Sequence, residues 1–110
     1  MRILIAEDDP VSRRLLEAKL GKWGYEVVVT CNGTEAWEAL RAEDAPQLAV
    51  IDWMMPDFDG TELCRKVRSE IWEPYTYIIL LTSLHQDEYL VIGMEAGADD
   101  YITSLSIPMS

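Results

Sequence analysis

Four short apolar runs in this chain stop at oxygen-bearing side chains. Ile3-Leu4-Ile5-Ala6 is followed by Glu7, Asp8 and Asp9, and Leu48-Ala49-Val50-Ile51 by Asp52. Tyr77 to Leu81 leads to Thr82 and Ser83, and Tyr101-Ile102-Thr103 to Ser104. If the runs are parallel strands, their carboxyl ends share one edge and these groups meet there. Two or three carboxylates so crowded repel one another, so that either one takes a proton or a cation enters. Oxygen ligands without His or thiolate suit Mg²⁺, or another hard ion such as Mn²⁺. A carboxylate beside such an ion can attack phosphorus and become an aspartyl phosphate. The metal then offsets charge on the transferring group, and a nearby hydroxyl donates to one of its oxygens. Glu7-Asp8-Asp9 alone reads equally well as caps and solvated turns; Asp52 and Thr82 in register favour the site.

The elements that must position these groups alternate. The first apolar run suits a strand buried on both faces. Asp9-Pro10 then opens a helix, with Asp9 as cap and Pro10 in the first turn. Val11, Leu15, Ala18 and Leu16, Leu20 recur at helical spacing, and Gly21 and Gly24 bracket the exit. Tyr25 to Thr30 is β-branched and strand-like. Asn32-Gly33 turns the chain, and a helix is expected from Thr34 to Glu43, with Pro46 ending that region. After the strand closed by Asp52 comes the loop Met54 to Gly60, then a third helix marked by Leu63, Val67 and Ile71. A fourth strand ends at Thr82, a fourth helix runs near Asp87 to Glu95 and stops at Gly97, and Tyr101 to Thr103 is a fifth strand. Repeated β-α units predict an α/β fold: a parallel sheet with helices on both faces and right-handed crossovers.

Charge and composition narrow the function. Nine Lys and Arg against 20 Asp and Glu leave a net charge of −11. That argues against direct contact with nucleic acid, which needs a basic face, and against docking on anionic lipid. Apolar residues make up 49%, well above a disordered composition. At 110 residues the chain amounts to one domain. No apolar run approaches the roughly 20 residues that span a bilayer, and the start, MRILIAEDD, lacks the features of a secretory signal. Cys31 and Cys64 form no CxxC pair, so a reduced, cytoplasmic protein is expected. With His85 as its single histidine, a Ser/His/Asp hydrolase or a His-based zinc site is disfavoured. His85 is expected early in a helix, the cysteines as small buried hydrophobes, and Trp23, Trp37 and Trp72 as packing residues. Trp53 adjoins Asp52 and is placed to report on it.

The motifs ILIAEDD at 3–9, AVIDWMMPDFDG at 49–60, LLTS at 80–83 and EAGADDYIT at 95–103 together resemble the receiver domain of two-component response regulators. Each is weak alone, but four in order are specific. The resemblance implies a flavodoxin-like doubly wound sheet of order 2-1-3-4-5, over a receiver domain at 1–103 with an atypical tail at 104–110. Residue by residue, it implies that Asp52 is the phosphoacceptor, accepting from a histidine kinase. It implies that Asp8 binds Mg²⁺ directly and Glu7 through water, with the Met54 carbonyl a further ligand. Thr82 matches the hydroxyl that contacts the phosphoryl group, and Tyr101 the aromatic that changes rotamer on activation. The implied role is a signalling phosphoacceptor that catalyses only its own phosphoryl transfer and hydrolysis, not an enzyme with a separate substrate. Phosphorylation would bias a surface of the fourth helix and fifth strand, read by a downstream output domain or protein. Asp57 and Asp59 are expected in the loop alongside the acidic nest.

The chain departs from that pattern after Thr103. Where the family usually reads Y-I-T-K-P, this chain reads Tyr101-Ile102-Thr103-Ser104-Leu105. Ser104 occupies the position of a lysine that contacts the phosphoryl oxygen. A hydrogen bond to a charged group contributes about 1.5–3 kcal/mol, and a serine is neutral and shorter. Residues 105–110 also lack the stripe of a last helix. Two accounts are open: a chain cut or altered after Thr103, or a natural degenerate receiver that lost the lysine. An uncovered apolar strip would then favour dimerisation or marginal stability. The alternative function is a pseudo-receiver, an interaction module that binds Mg²⁺ but switches poorly. An aspartate-nucleophile phosphatase is disfavoured because Met54 stands where a second acid is needed. A flavin module is disfavoured because no Ser/Thr-rich phosphate loop follows the first strand.

Overall fold

The protein is described by a computed structural model covering residues 1–71, 73–82 and 87–103. Within them the chain alternates strand and helix: β1 (Arg2–Ala6), α1 (Pro10–Lys22), β2 (Glu26–Thr30), α2 (Gly33–Leu40), β3 (Leu48–Asp52), α3 (Gly60–Glu70), β4 (Tyr77–Thr82), α4 (Asp87–Ala96) and β5 (Asp100–Thr103). The strands form one parallel sheet in the order β2-β1-β3-β4-β5. This is the doubly wound order that the resemblance of the motifs implies, and it is compatible with β-α alternation and right-handed crossovers.

Strand periodicity sorts the core. On one face Leu4, Ala6, Ala49, Ile51, Ile78 and Leu80 meet Ala36, Trp37 and Leu40 of α2, Leu63, Cys64 and Val67 of α3, and Ala96 of α4. Ile3 and Ile5 point the other way by the two-residue repeat and are also buried, and α1 packs against β1 and β2. Burying one Leu or Ile side chain contributes about 1.5–3 kcal/mol, so these apolar runs account for the sheet's being central.

Local signals set the helix starts. Asp9 Oδ2 accepts from Ser12 N–H at 2.8 Å, as its capping role requires. Asn32 caps α2 by accepting from Glu35 N–H at 2.8 Å. Asp59 and Glu62 form a reciprocal capping box at α3. After α4, Gly97 takes φ +111, a left-handed value suited to glycine.

Several expectations change. Helix α2 ends at Leu40, not near Glu43, with Arg41 as its C-cap. Ile71 is extended and caps α3 from outside. The α1 stripe is only partly used: Leu15, Leu16 and Leu20 are half-buried, whereas Val11 and Ala18 are exposed. Trp37 packs in the core, but Trp23 is 66% exposed on the C-cap of α1. Cys64 is fully buried, while Cys31 is only partly so. Trp72, Ser83, His85 and the tail from Ser104 to Ser110 lie outside the described residues.

Candidate functional site

Sheet register brings the sequence-separated acids together. Ala6 pairs with Ile51 across β1 and β3, so the next residues, Glu7 and Asp52, leave adjacent strands at the same level. Asp8 follows on the β1–α1 turn. One carboxylate oxygen from each of Glu7, Asp8 and Asp52 lies within 4.8 Å of the others. Thr82 ends β4 beside Thr103 of β5 and is 2% exposed.

The environment of the acids is electrostatically tense. Glu7 is 6% exposed, and its Oε2 is buried without a hydrogen-bond partner among the described residues. Burial raises the Glu7 carboxyl far above its ordinary range, and the hydrogen bond and negative charge of Asp52 push it the same way. Burial raises Asp52 as well, with Asp8 adding to the effect, while the hydrogen bond from Glu7 opposes it. Both carboxyls are thus pushed toward their neutral forms, Glu7 the more strongly. The nearby backbone N–H groups of Met54 and Trp53 favour the charged form of Asp52 and so also oppose the rise, while the Trp53 N–H itself donates to the Leu81 carbonyl at 2.9 Å. Three clustered carboxylates, one of them Glu7 with an unpartnered buried oxygen, fit a hard divalent cation, whose charge would offset their mutual repulsion.

The surroundings hold this edge in place. Arg13 of α1 folds back, and its Nη1 donates to the carbonyls of Glu7 at 3.0 Å and Asp8 at 3.3 Å. On the other side, the Thr30 hydroxyl donates to the Ile5 carbonyl at 2.7 Å, and Glu7 N–H to the Thr30 carbonyl at 3.2 Å. After Asp52 the chain closes a loop, with Gly60 N–H donating to the Trp53 carbonyl at 2.9 Å. Met54 lies in that loop, two residues after Asp52, and is 63% exposed. Tyr101 is half-buried and shares a hydrogen bond with Thr82. Trp53 meets Tyr101 and Tyr89 edge-on, with ring centroids 6.1 and 5.8 Å away.

The structure thus brings together Glu7, Asp8 and Asp52, and places Thr82, Tyr101 and Met54 on the same edge or its loops. Asp9 stands outside the nest as a helix cap. Asp57 and Asp59 do not join the acidic group either. Asp59 caps α3, and Asp57 accepts hydrogen bonds from Gly33 and Thr34 at the start of α2. Sequence reasoning missed the hold of Arg13 on the acidic turn, the Trp53–Tyr89 contact and the destination of Asp57. For Arg13 a signal existed, because a residue on the first turns of α1 can reach back over its own cap. The other two contacts join segments with no local relation.

Comparison with known proteins decides the family. The response regulator receiver domain family matches residues 3–104. This chain belongs to that family. Among curated relatives, it is 41% identical over 100 residues to the transcriptional regulatory protein AfsQ1 of Streptomyces coelicolor, covering 91% of this chain and 43% of AfsQ1. It is 42% identical to the transcriptional regulatory protein GltR of Pseudomonas aeruginosa, covering 91% of this chain and 41% of GltR. The receiver therefore spans less than half the length of these relatives. The beryllofluoride-activated N-terminal receiver domain of Klebsiella pneumoniae RstA superposes with a TM-score of 0.88 at 40% identity, covering 98% of this chain and 89% of that one. This receiver thus shares the flavodoxin-like receiver architecture of its relatives.

Proposed function

We propose that this receiver accepts a phosphoryl group on Asp52 from a sensor histidine kinase and uses it to switch a protein-interaction surface. In the transfer, an Asp52 carboxylate oxygen bonds to phosphorus and the phosphorus–nitrogen bond of the kinase phosphohistidine breaks. The imidazole leaves with that electron pair and takes up a proton. Asp8 would hold Mg²⁺ directly, Glu7 through water, and Asp52 and the Met54 carbonyl would complete the protein's ligands. Bound Mg²⁺ would offset negative charge on the phosphoryl oxygens. The Thr82 hydroxyl would then donate to one of those oxygens, drawing Tyr101 with it and biasing α4 and β5. The observation that carries this reading is the convergence of the Glu7, Asp8 and Asp52 carboxylates, with Glu7 Oε2 buried and without a hydrogen-bond partner among the described residues. The receiver in this reading is not an enzyme acting on a separate substrate. It works in the cytoplasm, to which the free Cys31 and Cys64 are suited. Its readout is an output domain or protein that controls transcription, as the names of the relatives suggest.

Ser104 supports a second reading. It stands where family members carry the lysine that contacts the phosphoryl group, so a pseudo-receiver that binds Mg²⁺ but relays phosphate weakly is the alternative. The domain boundary we propose, after Thr103 with 104–110 as a distinct tail, coincides with that departure. Tryptophan fluorescence separates the readings, because Trp53 adjoins Asp52. Mg²⁺ is added first, then beryllofluoride or a small phosphodonor. A second change that Asp52→Asn abolishes supports the switch, a response to Mg²⁺ alone supports the pseudo-receiver, and no Mg²⁺ response rejects both. Ser104→Lys is expected to strengthen the second change; an unaltered response would refute the role given to the missing lysine.

A further inference from the structure

The loop after Asp52 is closed at its base by the Gly60-to-Trp53 hydrogen bond, yet its middle is fastened to another element. Asp57 Oδ1 accepts from Gly33 N–H at 2.8 Å and from Phe58 N–H at 2.9 Å. Its Oδ2 accepts from Thr34 N–H at 2.7 Å and from the Thr34 hydroxyl at 2.5 Å. Gly33 and Thr34 open α2, whose Asn32 cap serves Glu35 and leaves these two N–H groups unclaimed. The positive end of the helix suits a carboxylate. Burial works to raise the Asp57 carboxyl, but the hydrogen bonds from Thr34, Phe58 and Gly33 outweigh it and hold the group well below the usual carboxylate range.

Close packing reinforces the same contact. A methyl group at Gly33 would lie 2.8 Å from the Phe58 carbonyl oxygen and 2.9 Å from the Phe58 ring. The start of α2 and the middle of the loop therefore approach too closely for any side chain at position 33. Asp52 and Met54 sit at the near end of this loop, so its anchorage bears on both.

We infer that Asp57 is a positioning residue for the metal site: by tying the loop to the N-terminus of α2, it holds Asp52 and the Met54 backbone where a divalent cation can use them. The inference rests on the metal-site reading proposed above. Partners that orient ligands typically change metal affinity 10- to 100-fold when lost, so an effect of about tenfold is expected here.

The test is Mg²⁺ affinity of the full chain by calorimetry, with the melting temperature in chelator recorded in parallel. Asp57→Ala is expected to weaken Mg²⁺ binding about tenfold. Gly33→Ala and Thr34→Val disturb the same contact without changing charge, and both are expected to weaken binding too; they carry the test if Asp57→Ala does not fold. Asn32→Ala uncaps α2 without touching the loop, and is expected to lower the melting temperature while leaving Mg²⁺ affinity unchanged. Wild-type affinity in both Gly33→Ala and Thr34→Val would overturn the inference and reduce Asp57 to a nearby charge. Equal losses in Asn32→Ala and Asp57→Ala would overturn it in favour of general helix stability. A wild-type chain that binds no Mg²⁺ fails differently, because it rejects the metal-site reading itself.

Discussion

Gly60 lies under the backbone of Asp52, where an added methyl group would sit 2.6 Å from the Asp52 carbonyl oxygen and 2.9 Å from the Leu80 side chain. The first of those atoms is backbone and cannot swing away. Gly60→Ala is therefore expected to cost about 1–3 kcal/mol of stability, the range for overpacking, and to weaken the fluorescence response to beryllofluoride. Wild-type values from urea unfolding and the beryllofluoride titration would show that the loop yields more easily than its packing suggests. Cys64 makes a second prediction. Burial pushes its thiol up to about 11, so the reactive thiolate is scarce at neutral pH and grows only as pH rises toward that value. Mass spectrometry after brief native alkylation at neutral pH is expected to find Cys64 unmodified, with labelling appearing in denaturant; rapid native labelling of Cys64 would count against its burial. At this scale the acids at 7, 8 and 52 were legible because each ends an apolar run. Asp57 was not, because its partners lie on α2.

Between elements, one cluster ties α3 to the segments that lead into β4 and β5. Arg68 Nε donates to the Gly97 carbonyl at 2.8 Å, Nη1 to the Thr76 carbonyl at 2.8 Å, and Nη2 to Asp99 Oδ2 at 2.7 Å. Asp99 Oδ2 also accepts from Ile78 N–H at 2.8 Å, and the Tyr75 hydroxyl donates to Oδ1. The guanidinium lies over the Tyr75 ring, 4.5 Å from its centroid. Unlike an exposed ion pair, this one is largely shielded from water and shares its donors with backbone carbonyls. Arg68→Ala is expected to destabilise the receiver by about 3 kcal/mol, since it strands a shielded carboxylate and two carbonyls. A loss under about 1 kcal/mol by urea unfolding would place Arg68 with ordinary surface pairs. Element identity was readable because apolar periodicity and capping residues are local. The end of α2 was misplaced because nothing between Leu40 and Pro46 breaks a helix by composition. Val11 and Ala18 were misjudged because the sheet, not the helix, decides which side of α1 is covered.

For the molecule as a whole, the net charge of −11 is unevenly informative. Only three of those acids form the described cluster; others, such as Asp9, Asp57 and Asp59, serve helix ends. A divalent cation that binds the folded receiver and not the unfolded chain must raise its stability. At a hundredfold excess over the dissociation constant the gain is about 2.7 kcal/mol. Calorimetric melting is expected to show a higher midpoint in Mg²⁺ than in chelator, with Asp8→Asn removing the difference. An equal shift in Asp8→Asn would move the stabilising ion away from this cluster. Strand order, the identity of the family and the candidate phosphoacceptor were all within reach of the sequence. Buried runs, caps and the acids at strand ends are written locally, while the strand order and the role of Asp52 came from the resemblance that four motifs carry together. The tertiary structure alone decided that Glu7 is buried against Asp52, that Asp57 and Asp59 serve helix ends, and that α2 anchors the loop behind Asp52. Those outcomes depend on distances between residues remote in the chain, and such distances exist only once the sheet has set its register and the helices have packed.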